Sequence, residues 1–361
     1  MDKKELFYSM ARKNIRDLEE YDPGPAFPEL VRISSNENNL GVSGKAVEAI
    51  RKAAAECNRY GDSRCDSLRE KLAAKHGLTP DRFVIGNGLD GIFTMLGRAF
   101  IEPGDEVVCG ELTFSVYAEM AEIMGGKAVK VPMTDKMELD VNGFVASVTE
   151  KTRMVVFCNP NNPTGTAASA KDIRKMLDSI PQKVLFVLDE AYIEFAEGET
   201  ADGLTLLNEY PNLMVCRTFS KVYGLAGLRV GWIAGDAELI KYLYKVREPY
   251  VVSFPASAGA EAALDDTEFL TKSVEMARNE KKRFYDFFCS NGIKFIPSQT
   301  NFILLPLGDA SARIRDGLLK EGIIVRLLRF RGKGIIRITI GLPEENTLLM
   351  EKFMGVYKAA E

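Results

Sequence analysis

Six short apolar runs, separated by helical stretches and short connections, limit what this chain can fold into. Glu106–Gly110, Lys127–Val131, Met154–Cys158, Val184–Leu188, Leu213–Arg217 and Val230–Ala234 have strand length. Helical spacing fills intervals near Ser115–Met124, Ala170–Ser179 and Leu204–Glu209. The runs are apolar throughout instead of alternating, so both faces of the sheet they form must be covered. Phe83–Ile85 leads through a glycine turn into a helix reaching Phe100 and adds one more strand. The reading is an α/β fold whose large domain holds a mostly parallel seven-stranded sheet with helices on its faces. Ligands of such sheets bind beyond the carboxyl ends of the strands. Gly88, Leu89, Phe114, Asn162, Asp189, Tyr192 and Lys221 all fall there.

The pattern changes after about Pro255. A long helix, Glu268–Ser290, precedes strands at Ile293–Phe295 and Asn301–Leu305, a helix Ala310–Glu321, strands Ile323–Arg326 and Ile335–Ile340, and a helix Glu344–Ala359. Before the large domain, a polar helix Lys3–Glu19 leads into Tyr21–Pro28, where prolines forbid helix and indicate an extended arm. Val31–Ile33 then reads as a strand and Ser34–Gly41 as a polar loop. A chain of 361 residues suggests about two domains. The division is residues 1–45 as an arm and part of a small domain, 46–255 as the large ligand-binding domain, and 256–361 as a smaller α+β domain.

A net charge of −4 supplies no basic footprint for nucleic acid. No apolar run approaches the ~20 residues that cross a bilayer, and the polar start Met1–Glu5 does not resemble a secretory signal. The expectation is a cytoplasmic protein without nucleic-acid or membrane partners. The six cysteines, Cys57, Cys65, Cys109, Cys158, Cys216 and Cys289, are scattered without a CxxC pair, which speaks against a disulfide framework. The single histidine, His76, lies in the last turn of a helix ahead of Gly77, so histidine-rich metal sites are excluded and proton transfer must use another base.

Three stretches carry chemistry. Arg217–Gly231 runs from a strand through Thr218 and Ser220 to Lys221, then through spaced glycines to Arg229. Hydroxyls, glycine N–H groups and a guanidinium suit a phosphate monoester, and an adjacent lysine suits a Schiff base with an aldehyde. Gly86-Asn87-Gly88 opens a helix whose first N–H groups are free to meet an anion. Asn159–Thr166 is a loop stiffened by Pro160 and Pro163 that presents Asn162, and Val187–Tyr192 places Asp189 where an apolar strand ends. A carboxylate there needs a cation or donor partner, which a protonated pyridine nitrogen supplies. Each stretch alone has a plain alternative: a solvated lysine, a rigid turn, an aspartate paired with a structural arginine. Together they point to pyridoxal 5'-phosphate.

With these residues in hand, the chain resembles the fold-type I aminotransferases and, within their class II subgroup, is similar to the histidinol-phosphate aminotransferase family. The matching stretches are Tyr21–Gly24, Ser34–Asn38, Asn58–Tyr60, Gly86–Gly88, Pro160–Gly165, Asp189–Tyr192, Thr218–Lys221 with Gly227–Gly231, and Ile336–Gly341. The resemblance implies that Lys221 forms the internal aldimine and moves the proton, that Asp189 holds the pyridine nitrogen, and that Asn162 and Tyr192 bond the phenolic oxygen. Phe114 would stack on the ring. Gly88, Leu89, Thr218, Ser220 and Arg229 would hold the phosphate, with Tyr60 reaching it from the other subunit of a homodimer with shared sites. Tyr21, Asn162, Arg326 and Arg337 would face the substrate. The implied activity is ping-pong transamination between histidinol phosphate and the glutamate/2-oxoglutarate pair in histidine biosynthesis. An aromatic amino-acid aminotransferase and a phosphothreonine decarboxylase share the scaffold, and a non-catalytic module that kept it for partner binding is a further alternative. The chain departs from the family pattern at Asn39-Leu40-Gly41, at Leu89 in place of a hydroxyl, and at Val222 in place of a small residue.

Overall fold

The computed structural model describes residues 2–16, 18–20, 24, 27 and 29–360. Its largest sheet holds seven strands: β1 (Phe83–Asn87), β2 (Glu106–Gly110), β3 (Lys127–Val131), β4 (Thr152–Cys158), β5 (Leu185–Asp189), β6 (Leu213–Thr218) and β7 (Val230–Ala234). Across the sheet the order is β1-β7-β6-β5-β4-β2-β3. β7 runs antiparallel to both its neighbours, and the other pairings are parallel. Every residue of β5, β6 and β7 is buried, which is why these strands are apolar up to the polar residues at the ends of β5 and β6, Asp189, Arg217 and Thr218. Cys158, Asp189 and Cys216 sit side by side, so β4 and β5 end level, β6 runs two residues further to Thr218, and their following loops open onto one edge.

A second core lies around Phe284, Phe288, Ile314, Leu318, Ile336, Ile338 and Phe353. It packs the helices Thr267–Ser290, Ala310–Lys320 and Pro343–Ala360 on an antiparallel sheet of β8 (Phe302–Leu305), β9 (Arg326–Phe330) and β10 (Lys333–Thr339), ordered β9-β10-β8. Val31–Arg32 pairs with Ile323–Ile324 in parallel, so this segment joins the second unit, while most of the expected extended arm, Tyr21–Pro28, lies outside the described residues. Among the described residues no helix is long and apolar enough to cross a membrane. All six cysteines are free thiols.

Local patterns misplace several elements. The expected helix to Glu19 ends at Met10, because none of its residues is buried and the next residues bind elsewhere. Asn14 Nδ2 donates to the carbonyls of Glu122 and Ile123 at 2.6 and 2.8 Å, and Arg12 to that of Ile123 at 2.8 Å. These are end carbonyls of the helix Val116–Ile123, which have no partner within their own helix. Leu204–Glu209 is a 3-10 turn over Gly203–Leu206. Ile293–Phe295 is no strand; Ile296 bridges Leu304 instead. The expected strand Ile323–Arg326 divides between the two small sheets. The helices Val141–Ala146, Ala237–Val246 and Phe254–Ala263 escape the periodicity reading. The last is capped by Ser253 and packs Gly259 against Ile50 and Leu228 at distances of 2.8–3.0 Å for any added Cβ, a face without large apolar residues.

Candidate active site

Two units meeting over the carboxyl edge of the large sheet leave a cavity of about 790 Å³. Its lining includes Gly110–Phe114, Asn162, Asp189, Tyr192, Thr218, Ser220, Lys221 and Arg229 from the large sheet side, and Arg326 and Arg337 from the small one. A smaller cavity of about 260 Å³ lies beside Asn159. Its Asp140 and Asp172 are already engaged in capping the helices Val141–Ala146 and Ala170–Ser179, so it offers little to a ligand.

Lys221 stands just past β6, where the chain turns back toward β7. Its carbonyl accepts from Gly224 N–H at 3.0 Å. Gly224 adopts φ +69°, and a Cβ there would come within 2.1 Å of the Gly41 carbonyl, so only glycine makes this turn against the Ser34–Gly41 loop. The half-buried Nζ lies 3.4 Å from the Ser35 carbonyl and 5.6 Å over the Tyr192 ring. Burial first, then the Arg337 guanidinium, bring the amine down from 10.5 to about 8.

Asp189, 2% exposed, ends β5. One carboxylate oxygen accepts from the Tyr117 hydroxyl at 2.6 Å and the other from Ala191 N–H at 2.9 Å. Even with both donors, burial pushes the carboxyl up to about 6. No ion pair joins it among the described residues, so a cation on a ligand is what this group lacks. Tyr117 escaped the sequence reading. The available signal was a tyrosine three residues after Phe114 on the apolar face of a helix, where its hydroxyl needs a buried partner.

The helix Gly88–Phe100 begins at the same edge, and its N-cap, Asn87, makes no side-chain cap. Its first N–H groups therefore face the cavity, next to Thr218 and Ser220, 5% and 6% exposed, and to Arg229. A Cβ at Gly88, φ +68°, would lie 2.6 Å from Arg229 Nη2, so the cradle closes only around glycine. Arg229 pairs with Asp90 at 2.9 Å. Leu89, 8% exposed, offers its N–H but no hydroxyl. Uncapped N–H groups, two hydroxyls and a guanidinium fit a phosphate, and Asp189 and Lys221 fit a cationic ring nitrogen and an aldehyde carbon, the three polar ends of pyridoxal phosphate.

On the small-domain side, Arg326 and Arg337 are direct cross-strand partners on β9 and β10. Arg337 donates to Asn162 Oδ1 at 2.6 Å and to the Ser34 carbonyl at 2.7 Å. Phe114 lines the cavity wall with its ring 5.7 Å edge-on from Tyr117. Tyr60 does not line this cavity; it is 82% exposed and stacks at 4.4 Å on Tyr250. Tyr21 lies outside the described residues.

Comparison with known proteins agrees with this geometry. Residues 28–353 match the family described as Aminotransferase class I and II. A histidinol-phosphate aminotransferase 2 of Carboxydothermus hydrogenoformans is 40% identical over 96% of this chain and 99% of its own. One from Pseudomonas fluorescens is 40% identical over 98% and 99%. The crystal structure of histidinol-phosphate aminotransferase from Sinorhizobium meliloti, in complex with pyridoxal-5'-phosphate, superposes with a TM-score of 0.87 at 30% identity over 92% of each chain. Similarity that spans both sheets and the cavity between them admits one assignment: the chain belongs to the class I and II aminotransferases.

Proposed function

We propose that this chain transfers an amino group between histidinol phosphate and the glutamate/2-oxoglutarate pair, in histidine biosynthesis, with pyridoxal 5'-phosphate as cofactor. The observation that carries the substrate reading is the Arg326–Arg337 pair. Two guanidinium groups directly across two strands on the cavity wall can both donate charge-assisted bonds to one dianionic phosphate monoester. Tyr21 is assigned to the same end of the substrate. The relatives' shared description as histidinol-phosphate aminotransferases supports the reading.

In this reading the N–H groups of Gly88 and Leu89, with Thr218, Ser220 and Arg229, hold the cofactor phosphate. Asp189 pairs with the ring nitrogen, and the ring's positive charge reverses the effect of burial on the carboxyl. Asn162 and Tyr192 would bond the ring oxygen and Phe114 would pack against the ring. When bound, the ring withdraws electrons from the substrate α-carbon and makes its C–H acidic. Lys221, with its lowered amine, would hold the aldehyde carbon and would be the base placed to take the proton from the substrate α-carbon.

The site is further proposed to be shared in a homodimer. Tyr60 of the partner subunit would complete the phosphate cradle, which accounts for a tyrosine 82% exposed in one chain. Six free thiols suit a reducing compartment, so the cytoplasm is the proposed location.

Turnover of histidinol phosphate, phenylalanine and phosphothreonine by the purified protein tests the assignment. Histidinol phosphate should be the preferred amino donor, and Lys221→Ala should lose turnover by about 10²–10⁴-fold or more. Arg326→Ala should raise KM for histidinol phosphate by roughly 10–100-fold, the loss of one charge-assisted bond, with little change for phenylalanine. Preference for phenylalanine would assign an aromatic aminotransferase; carbon dioxide release from phosphothreonine would assign a decarboxylase.

A further inference from the structure

Tyr192 is 3% exposed and ends in a hydroxyl whose hydrogen bonding is lopsided. Its oxygen accepts from Asn36 Nδ2 at 2.9 Å. Among the described residues no acceptor takes the hydroxyl proton. Lys221, Arg337, Asp189 and Cys158 surround the group and fill the wall of the cavity around it.

Asn36 comes from the loop after Val31–Arg32 and is 1% exposed. Its backbone holds φ +56°, a left-handed conformation that asparagine and aspartate tolerate better than other side chains. The direction of its amide follows from its neighbours. Thr339 Oγ1 accepts from Asn36 N–H at 2.9 Å, which leaves its own proton for Asn36 Oδ1 at 3.1 Å. With Oδ1 accepting from Thr339, the NH₂ end faces Tyr192. Asn301 Nδ2 clamps the loop from the other side, donating to the carbonyls of Asn36 and Glu37 at 3.2 Å. Thr339, on β10, and Asn301 belong to the small unit, and Tyr192 to the large one.

We propose that Asn36 is a positioning residue of the active site: by donating to the Tyr192 oxygen it commits the only proton of that hydroxyl to the cavity, so that Tyr192 acts as a donor to the ring oxygen of the bound cofactor. The inference rests on the cofactor placement proposed above. A donor amide on the tyrosine oxygen also polarises the O–H bond and strengthens its donation. Strand β10 of the small unit thus sets a hydrogen bond on the cofactor in the large one through a chain of two side chains.

The test is the pH titration of the visible absorbance of the holoenzyme. A donor on the ring oxygen favours its anionic form, so removing it moves the titration midpoint upward. Asn36→Asp keeps the shape, the tolerance for positive φ and the acceptor for Thr339, but its carboxylate takes the Tyr192 proton. The expected result is a midpoint raised by about one pH unit or more, with Tyr192→Phe shifted at least as far. The double variant should shift no further than Tyr192→Phe alone, because the two act through one proton. An unchanged midpoint in Asn36→Asp overturns the proposal. So does an Asn36→Asp shift that persists in full in the Tyr192→Phe background, which would mean that the new charge acts on the cofactor directly. If Asn36→Asp does not fold, Thr339→Val, which frees the amide to turn, must raise the midpoint when Tyr192 is present and must not do so in the Tyr192→Phe background. A wild-type protein that develops no visible band with pyridoxal phosphate instead refutes the cofactor placement itself.

Discussion

Lys221 sits among charges that act on its amine in opposite directions. Burial, Arg337 and Arg229 lower its proton affinity, Glu37 and Asp90 raise it, and the balance stands at about 8. An unperturbed lysine is almost wholly protonated at neutral pH, and attack on a carbonyl needs the neutral amine. The rate at which the apoenzyme captures pyridoxal phosphate should therefore climb as the pH rises through about 8 and level off above it, well short of 10.5. Arg337→Gln removes the larger of the two cationic influences, so the midpoint should move up; stopped-flow absorbance over a pH series measures both. A midpoint near 10.5 in the wild type would mean that the amine is not held as described. Asp189 and Lys221 were both legible in the sequence because each stands at the end of an apolar run, where a charge needs a reason. Tyr117 was not, since a tyrosine in an apolar helix reads as core until its hydroxyl is seen against Asp189.

At the scale of elements, the turn after β5 is anchored by a buried ion pair adjoining Asp189. Glu190, fully buried, accepts from Arg217 Nε at 2.9 Å and Nη2 at 2.7 Å, and from Gly203 N–H at 2.6 Å. Arg217 comes from β6 and also reaches Asp202, so the pair ties β5, β6 and the Gly203–Leu206 turn together. Arg217→Met strands a carboxylate in the core and should cost about 3–5 kcal/mol, read as a large fall in melting temperature. Arg174→Ala removes an exposed partner of Glu209 and should leave the melting temperature nearly unchanged, because solvent screens that pair. Equal falls would show that burial adds nothing to the first pair. The strands themselves were predictable, since a strand buried on both faces prints its burial as a continuous apolar run. The N-terminal helix was not, because Asn14 and Arg12 bind carbonyls more than a hundred positions away.

At the scale of the whole molecule, the proposed shared site makes a prediction that a self-contained chain cannot meet. Lys221→Ala lacks the amine in its own cavity, and Tyr60→Ala lacks the tyrosine it lends to its neighbour. Mixed and reassembled, half the dimers are hybrid, and each hybrid holds one cavity with both groups. Activity should recover to about a quarter of wild type, above the sum of the two parents, and light scattering should give the mass of two chains. No recovery on mixing, with dimers present, would place Tyr60 outside the site.

What the sequence determined by itself was everything with a short period or a local spacing: the mostly parallel sheet, the edge onto which the cavity opens, and the positions there of Lys221, Asp189 and the Gly88 turn. These are encoded within a few residues of one another, and burial of the backbone repeats them as pattern. Only the tertiary structure decided which side chains meet across the two units. Asn36 reaches Thr339 over 303 positions, and Arg326 faces Arg337 because β9 and β10 pair in that register and no other. Such contacts have no period along the chain. They exist only once two separately packed cores close on each other, and that closure brings the Asn36 amide against the Tyr192 hydroxyl.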